Sequence, residues 1–252
     1  MGYLRFLWTA IFGVCLLIIS IPVLLIDLVI GLFSMKARDS FTMWIIGFVF
    51  SIITFLSGVK IHISGLENIP KDQAVLYIGN HKSFFDVLVS YQLFPGATAF
   101  IAKKEFSNVP ILSWWMRMMR NLFLDRKDIK QGLKTTLKAI DYVKDGTSIC
   151  IFPEGTRNKT DEIMLPFHAG SFKIAEKSGC PIIPMTLYNM SAVFEDHMPK
   201  LSSEHVFVDF GKPIIISELE KEDKKHLAEY VQGKMIDTYK ELKEKHEEIN
   251  AK

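Results

Sequence analysis

Residues 74–94 read AVLYIGNHKSFFDVLVSYQLF and change character halfway along their length. The opening AVLYIGN is a short run with β-branched and aromatic residues that ends in Gly and Asn, a pattern typical of strands. The closing FFDVLVSYQLF reads as a helical stretch. The pattern therefore predicts a strand, a turn and a helix, with His81 in the turn and Asp86 in the first turns of the helix.

The same alternation of strands and helices continues along the rest of the chain. Five further short runs rich in β-branched residues, most of them ended by Gly, Pro or Asn, read as strands: KIHISG, TAFIAKK, TSICIFPEG, PIIPMTLYN and HVFVDFGKP. Helical stretches lie between them, notably ILSWWMRMMR, KDIKQGLKTTLKAIDYVKDG and FHAGSFKIAEKSG. This order favours an α/β domain with a mostly parallel sheet flanked by helices.

Two helical stretches carry apolar residues at helical spacing. In the lysine-rich stretch these are Ile129, Leu133, Leu137, Ile140 and Val143, with lysines opposite. The charged C-terminal tail carries a second row, which we expect to pack on the domain: Leu227, Val231, Met235, Tyr239 and Leu242.

Two long apolar segments precede the α/β pattern. The first runs from Phe6 to Phe33 and the second from Phe41 to Val59, joined by the linker SMKARDS. A bilayer-spanning helix needs about 20 apolar residues, so both segments are long enough. We expect residues 1–59 to form a membrane-anchoring two-helix hairpin and residues 60–252 to form the α/β domain. A buried helical pair of a soluble protein is the alternative.

The linker bears on how such a hairpin would sit in a membrane. If both helices spanned the bilayer, the linker would lie on the side opposite the α/β domain. It carries Lys36 and Arg38 against Asp39, and short positively charged loops usually stay cytoplasmic. This favours a hairpin that dips into one leaflet of the cell membrane, with the domain on the cytoplasmic side. A spanning hairpin is the alternative.

Composition argues against several kinds of ligand. The 252 residues include 30 Lys and Arg against 28 Asp and Glu, and no nucleic-acid-binding signature is present. The three cysteines form no CxxC pair and no His–Cys spacing of a zinc site, so we expect no metal site and reduced thiols. Nucleic acid and metal ions are therefore not expected ligands.

The block NHKSFFD, residues 80–86, places a histidine and an aspartate five positions apart. On one continuous helix such residues point about 140° apart, so contact requires that one of them lie outside the helix. Asp86 would then accept from one imidazole nitrogen of His81 and leave the other free as a base. A capping aspartate with a surface histidine is the alternative. No GxSxG is present to supply a serine nucleophile, which disfavours a lipase.

The block FPEGTR, residues 152–157, follows a strand and contains a turn. Gly155 allows a ligand to approach the backbone, Arg157 offers a planar fork to a phosphate, and Glu154 can bind a hydroxyl. A plain turn with a surface ion pair is the alternative.

Two more blocks complete the pattern. LFLDR, residues 122–126, places Arg126 just after a short apolar strand, and Lys104 follows the strand TAFIA in a similar way. PIIPMTL, residues 181–187, reads as a core strand that would form a wall of the site.

In this order and at these separations, NHKSFFD, LFLDR, FPEGTR and PIIPMTL resemble the four blocks of the glycerolipid acyltransferase family. The similarity extends to the bacterial 1-acylglycerol-3-phosphate (lysophosphatidic acid) acyltransferases within it, and it covers roughly residues 60–190. One departure is Arg120, which stands where the family commonly has a small residue, often Gly.

The resemblance implies transfer of a fatty acyl group from acyl-CoA or acyl-carrier protein to the free hydroxyl of lysophosphatidic acid, giving phosphatidic acid. It implies that His81 is the general base and that Asp86 orients and stabilises the imidazole. The acceptor hydroxyl would attack the thioester directly, with no acyl-enzyme. The resemblance implies no cofactor beyond the donor substrate. The residues implied in acceptor binding are Arg126 and Arg157 at the phosphate, Lys104 as a third cation, and Glu154 and Gly155 in the pocket wall.

Two alternatives stay open. The same chemistry could act on glycerol 3-phosphate, another lysophospholipid or an acyl-amino-acid lipid. The second alternative is a non-catalytic membrane protein that binds lipid. The presence of both His81 and Asp86 disfavours this alternative.

Overall fold

The computed structural model describes residues 1–251, which form two N-terminal helices followed by a seven-stranded sheet with helices on both faces. The first two helices are α1 (Gly2–Phe33) and α2 (Met35–Ser57). The strands are β1 (Lys60–Ser64), β2 (Leu76–Gly79), β3 (Thr98–Lys103), β4 (Leu122–Leu124), β5 (Ser148–Ile151), β6 (Ile182–Tyr188) and β7 (His205–Phe210). The remaining helices are α3 (Phe85–Tyr91), α4 (Leu112–Met118), α5 (Ile129–Lys144), α6 (Lys173–Ser178), α7 (Lys221–Lys225) and α8 (Leu227–Asn250).

The strands follow the order β1-β7-β6-β2-β5-β3-β4 across the sheet. Every neighbouring pair is parallel except β6 and β7, which run antiparallel. The prediction of a mostly parallel sheet flanked by helices is therefore confirmed, as is the pair of apolar N-terminal helices.

Side chains of the central strand β2 alternate between the two faces of the sheet, as the pleat requires. Leu76 and Ile78 belong to the core beneath α5, α6 and α8, whereas Tyr77, with Val75 just before the strand, belongs to the core beneath α3, α4 and the N-terminal helices. All four are buried. Both faces of the sheet are thus covered, which explains why β2 reads as a continuous apolar run.

The apolar row of the C-terminal helix α8 packs on the domain, as expected. Four of its members are buried and Tyr239 packs against them. The row on α5 behaves differently, because only its second half reaches the core. Ile140 and Val143 are buried, whereas Ile129, Leu133 and Leu137 are exposed. The buried face of α5 is centred on Thr135, Ala139 and Val143, so the first part of the apolar row lies to the side of that face.

The hairpin of α1 and α2 lies against the α/β domain and contacts it along its length. Trp115 Nε1 of α4 donates to Ser20 Oγ at 2.7 Å, and Ser51 Oγ donates to the side chain of Gln92 at 2.9 Å. Leu24 joins the core on that face. Both helices are long and apolar enough to cross a membrane, and most of their large apolar side chains are exposed.

Candidate active site

The four sequence blocks adjoin one another at the carboxyl ends of the parallel strands. PIIPMTL forms most of β6, and the backbone of its last residue, Leu187, exchanges two hydrogen bonds with the side chain of Asn80 in NHKSFFD. β2 pairs in parallel with β5, with Ile78 opposite Ile151, so the turns that follow these two strands are neighbours. NHKSFFD lies in the first turn and FPEGTR in the second. Ligands in open α/β sheets bind at this edge, outside the carboxyl ends of the strands.

His81 and Asp86 are in direct contact. His81 lies in the turn after β2, Asp86 lies in the first turn of α3, and their Nδ1 and Oδ2 atoms are 2.8 Å apart. The same carboxylate oxygen accepts the backbone N–H groups of Lys82 and Ser83, each at 2.7 Å. The Asp86 side chain is 1% exposed. Three donors therefore fix the position of this carboxylate beneath the imidazole.

The imidazole of His81 is also held by an aromatic ring. It stacks on Phe152, the first residue of FPEGTR, with centroids 4.2 Å apart and planes 14° apart. With Nδ1 facing Asp86, the other nitrogen, Nε2, is left to act on a substrate. The side chain is 19% exposed, so a ligand can reach it. A histidine held in this way is equipped to act as a general base.

The side chain of Glu154, in the turn after β5, accepts hydrogen bonds from backbone N–H groups, one of them in the turn after β2. Its Oε1 accepts the N–H of His81 at 2.6 Å, and its Oε2 accepts the N–H of Leu165 at 2.9 Å. Burial raises the pKa of this carboxyl. Both oxygens are engaged by backbone donors, so the geometry gives Glu154 a part in fixing His81, in addition to the hydroxyl contact expected from sequence.

Arg126 lies close to the backbone of Gly155 in the turn after β5. The φ of Gly155 is 70°, a left-handed conformation that favours glycine. A Cβ at this position would lie 3.2 and 3.3 Å from two atoms of the His168 ring and 4.0 Å from Arg126 Nε. The exposed Arg126, which follows β4, therefore lies beside the turn that follows β5.

Arg157 lies beside the first block. Its guanidinium is centred 3.8 Å from the ring centroid of Phe84, and its Nη1 is 3.1 Å from Glu195 Oε1. The side chain is 25% exposed. Arg157 is therefore within the site, with a carboxylate as its present partner.

Lys104 lies toward the β4 edge of the site. Its Nζ is 2.9 Å from Asp125 Oδ2, and this hydrogen bond raises the pKa of the amine. The contact places Lys104 beside the residue that precedes Arg126. The structure gives no contact between Lys104 and His81.

Three residues of the site were not identified from sequence. Phe152 belongs to the FPEGTR block, so its place beside the turn that carries His81 could have been anticipated. His168 and Glu195 carry no local signal, because each reaches the site from a different part of the chain. Glu195 contacts Ser83 across 112 positions of sequence.

Comparison with known proteins identifies the family. The family model described as Acyltransferase matches residues 60–188, which are 129 of the 252 residues. The chain is 31% identical over 212 residues to the 1-acyl-sn-glycerol-3-phosphate acyltransferase of Saccharomyces cerevisiae, covering 83% of this chain and 70% of that protein. It is 31% identical over 189 residues to the protein of the same name from Borreliella burgdorferi, covering 75% of each.

A solved structure shares the fold. The 1-acyl-sn-glycerophosphate (LPA) acyltransferase PlsC from Thermotoga maritima superposes with a TM-score of 0.80 at 22% sequence identity, over 95% of this chain and 96% of that one. The family match, the two relatives and the four blocks at one edge of the sheet agree. The chain belongs to the acyltransferase family.

Proposed function

We propose that this protein transfers a fatty acyl group from a thioester donor, acyl-CoA or acyl-carrier protein, to the free hydroxyl of lysophosphatidic acid. The observation that carries the proposal is the 2.8 Å contact between His81 Nδ1 and Asp86 Oδ2, with Nε2 directed away from the carboxylate. The relatives from yeast and Borreliella burgdorferi bear the name of this activity.

The proposed chemistry follows from the orientation of the His81 imidazole, whose Nδ1 faces Asp86. His81 Nε2 accepts the hydroxyl proton as the acceptor oxygen bonds to the thioester carbonyl carbon, and Asp86 stabilises the imidazolium that forms. The tetrahedral oxyanion then expels the thiolate, which takes the proton from His81 and leaves as the thiol. The products are phosphatidic acid and the free thiol of the donor. No covalent acyl-enzyme is needed.

Arginine side chains supply the recognition of the acceptor phosphate. Arg126 lies beside Gly155, Arg157 lies over the ring of Phe84, and their planar guanidinium groups match phosphate oxygens. Lys104 adds a third cation toward the β4 edge. A phosphate bound here would hold the glycerol hydroxyl near His81.

The hairpin fits an enzyme whose acceptor and product reside in a bilayer. We propose that residues 1–59 anchor the catalytic domain, residues 60–252, to the cytoplasmic face of the cell membrane by entering one leaflet. Asp39, near the start of α2 and next to the hairpin turn, lies 2.8 Å from Arg120 of the domain. A spanning hairpin would place its turn about 30 Å away, across the hydrocarbon core. Because the anchored site lies at the membrane, the lipid need not be extracted from the bilayer into water. Such extraction would cost about 0.8 kcal/mol for each CH₂ exposed to water.

The test is a product assay with a panel of acceptors. Purified full-length protein is given labelled acyl-CoA or acyl-carrier protein together with lysophosphatidic acid, glycerol 3-phosphate or lysophosphatidylcholine, and the lipids are identified. Labelled phosphatidic acid from lysophosphatidic acid is the expected product. Labelled product from glycerol 3-phosphate or lysophosphatidylcholine alone would overturn the choice of acceptor.

A further inference from the structure

We propose that Glu195 is a positioning residue for the acceptor site, and that it holds Arg157 and the start of α3 in place for catalysis. The inference rests on the proposed function. Glu195 begins a short 3₁₀ turn, Glu195–His197, between β6 and β7, and it lies outside all four blocks.

The carboxylate of Glu195 receives three donors from two parts of the site. Oε2 accepts from Ser83 Oγ at 2.6 Å, and Oε1 accepts from the backbone N–H of Phe84 at 2.8 Å. Oε1 also accepts from Arg157 Nη1 at 3.1 Å. The side chain is 15% exposed, so water screens these contacts less than it would on an open surface.

Two of these donors belong to the segment that presents Asp86. The backbone N–H of Ser83 donates to Asp86 Oδ2, while its hydroxyl donates to Glu195. The same residue is therefore held by the catalytic carboxylate through the main chain and by Glu195 through the side chain. Phe84, the next residue, carries the ring on which Arg157 lies. Glu195 thus fixes the distance between the phosphate-binding arginine and the catalytic pair.

The turn that carries Glu195 is itself supported by the hairpin. Phe194 stacks on Phe6 of α1, with centroids 5.5 Å apart and planes 11° apart. The backbone N–H of Leu201 donates to the carbonyl of Gly2 at 3.2 Å. Contacts therefore run from the first helix of the anchor, through Phe194, to Glu195. A membrane-seated α1 supports the acceptor site through this turn.

A competing role would produce the opposite kinetics. If Glu195 instead blocked the site by occupying Arg157, an incoming phosphate would have to displace it. Removal of the carboxylate would then lower the acceptor KM. If Glu195 positions Arg157, its removal frees the guanidinium to move and raises the acceptor KM.

The experiment measures steady-state kinetics of full-length variants with acyl-CoA and lysophosphatidic acid. We expect Glu195→Ala to raise the acceptor KM about tenfold, the effect of one charge-assisted contact, with the donor KM unchanged. In an Arg157→Ala background the same substitution should raise the acceptor KM by less than about twofold, because the two residues act together. Glu195→Gln, which keeps an oxygen for Phe84 N–H but loses the charge, should fall between wild type and Glu195→Ala.

Controls separate this inference from the proposed function. Asp196→Ala removes the neighbouring carboxylate, which bonds only to Ser191 Oγ in this turn, and should leave the acceptor KM unchanged. Should Glu195→Ala fail to fold, Glu195→Gln carries the test. A lowered or unchanged acceptor KM in the folded Glu195 variants, or full additivity with Arg157→Ala, overturns the positioning role. Retention of turnover by His81→Ala would instead overturn the proposed function.

Discussion

Arg120 Nε lies 2.8 Å from Asp39 Oδ2, and this ion pair joins the start of α2, next to the hairpin turn, to the α/β domain. Arg120 has a φ of 57°, a left-handed conformation that costs a non-glycine residue about 1–2 kcal/mol. The same guanidinium also reaches Asp145 at 3.1 Å and Thr147 at 3.0 Å. These contacts offset the strain, which a glycine at this position would not incur.

We expect Asp39→Asn to loosen the hairpin turn without unfolding the domain. The change removes the charge that holds the turn against Arg120, so amides of residues 34–40 should exchange with solvent faster, as measured by hydrogen–deuterium exchange. Asp145→Asn is the matched control, because Asp145 is 70% exposed and the Asp39 contact survives its loss. Equal protection of the turn in both variants would contradict the anchoring role of Asp39.

The one-leaflet arrangement predicts where the hairpin turn is accessible. Ala37 is exposed in the first turn of α2, beside the hairpin turn, so Ala37→Cys can be probed in a Cys15→Ser background, since Cys150 and Cys180 are buried. In intact cells an impermeant maleimide should fail to label the variant, and it should label the protein after the membrane is opened. Efficient labelling of intact cells would place the turn outside and refute the arrangement.

The contact between His81 and Asp86 predicts the size of the catalytic loss. A glycerol hydroxyl is a poor nucleophile at neutral pH, and a positioned base contributes about 10²–10⁴-fold to the rate. His81→Ala should therefore lower kcat by that order, with the acceptor KM near normal. Quenched reactions with labelled donor should contain no acyl-protein. Near-normal turnover would eliminate His81 as the base.

Asp86→Asn tests whether the pair acts as a unit. Asparagine keeps an oxygen for the N–H groups of Lys82 and Ser83 but loses the charge that stabilises the imidazolium, so kcat should fall strongly. In the double variant with His81→Ala, kcat should be little lower than in the poorer single variant. Losses that multiply would show that the two residues act independently. Thermal unfolding of each variant serves as the folding control.

The two arginines should affect acceptor binding in different ways. A charge-assisted hydrogen bond contributes about 1.5–3 kcal/mol, so Arg126→Ala and Arg157→Ala should each raise the acceptor KM about tenfold or more. Only Arg157→Ala should also lower the melting temperature, because it leaves Glu195 without its cation. The exposed neighbour Lys127→Ala is the control. An unchanged acceptor KM in both arginine variants would refute the phosphate assignment.

Gly155→Ala should lower activity as well as stability, because the added Cβ meets a neighbouring side chain in addition to straining the backbone. A left-handed φ costs alanine about 1–2 kcal/mol, and Gly146→Ala at a φ of 84° should show this cost alone, since no atom lies within 4 Å of a Cβ there. At Gly155 the added Cβ would also meet the His168 ring. We expect similar losses of stability but a fall in kcat/KM only for Gly155→Ala. Equal activity in both variants would show that this close approach has no role.

Local sequence was sufficient to predict the strands and helices and the contact between His81 and Asp86. The strands, the apolar helices and the buried row of α8 follow from periodicity and composition, which act over a few residues. The approach of His81 to Asp86 follows from a strand, a turn and a helix within seven residues, so the five-residue spacing predicts it. The acyltransferase blocks are also short; each one alone is a weak signal, and the resemblance became specific only through their order and separations along the chain.

The tertiary structure decided which of these blocks became neighbours. Glu154 reaches the backbone of His81 across 73 positions because β5 lies beside β2, and no local pattern fixes the order of strands in a sheet. The same is true of the contact between Glu195 and Ser83, and of the ion pair between Asp39 and Arg120. The exposure of Ile129 and Leu133 likewise depends on which face of α5 packs on the domain, and that face is centred on Ala139. Local periodicity specifies which face of a helix is apolar, whereas packing between distant segments determines what that face meets.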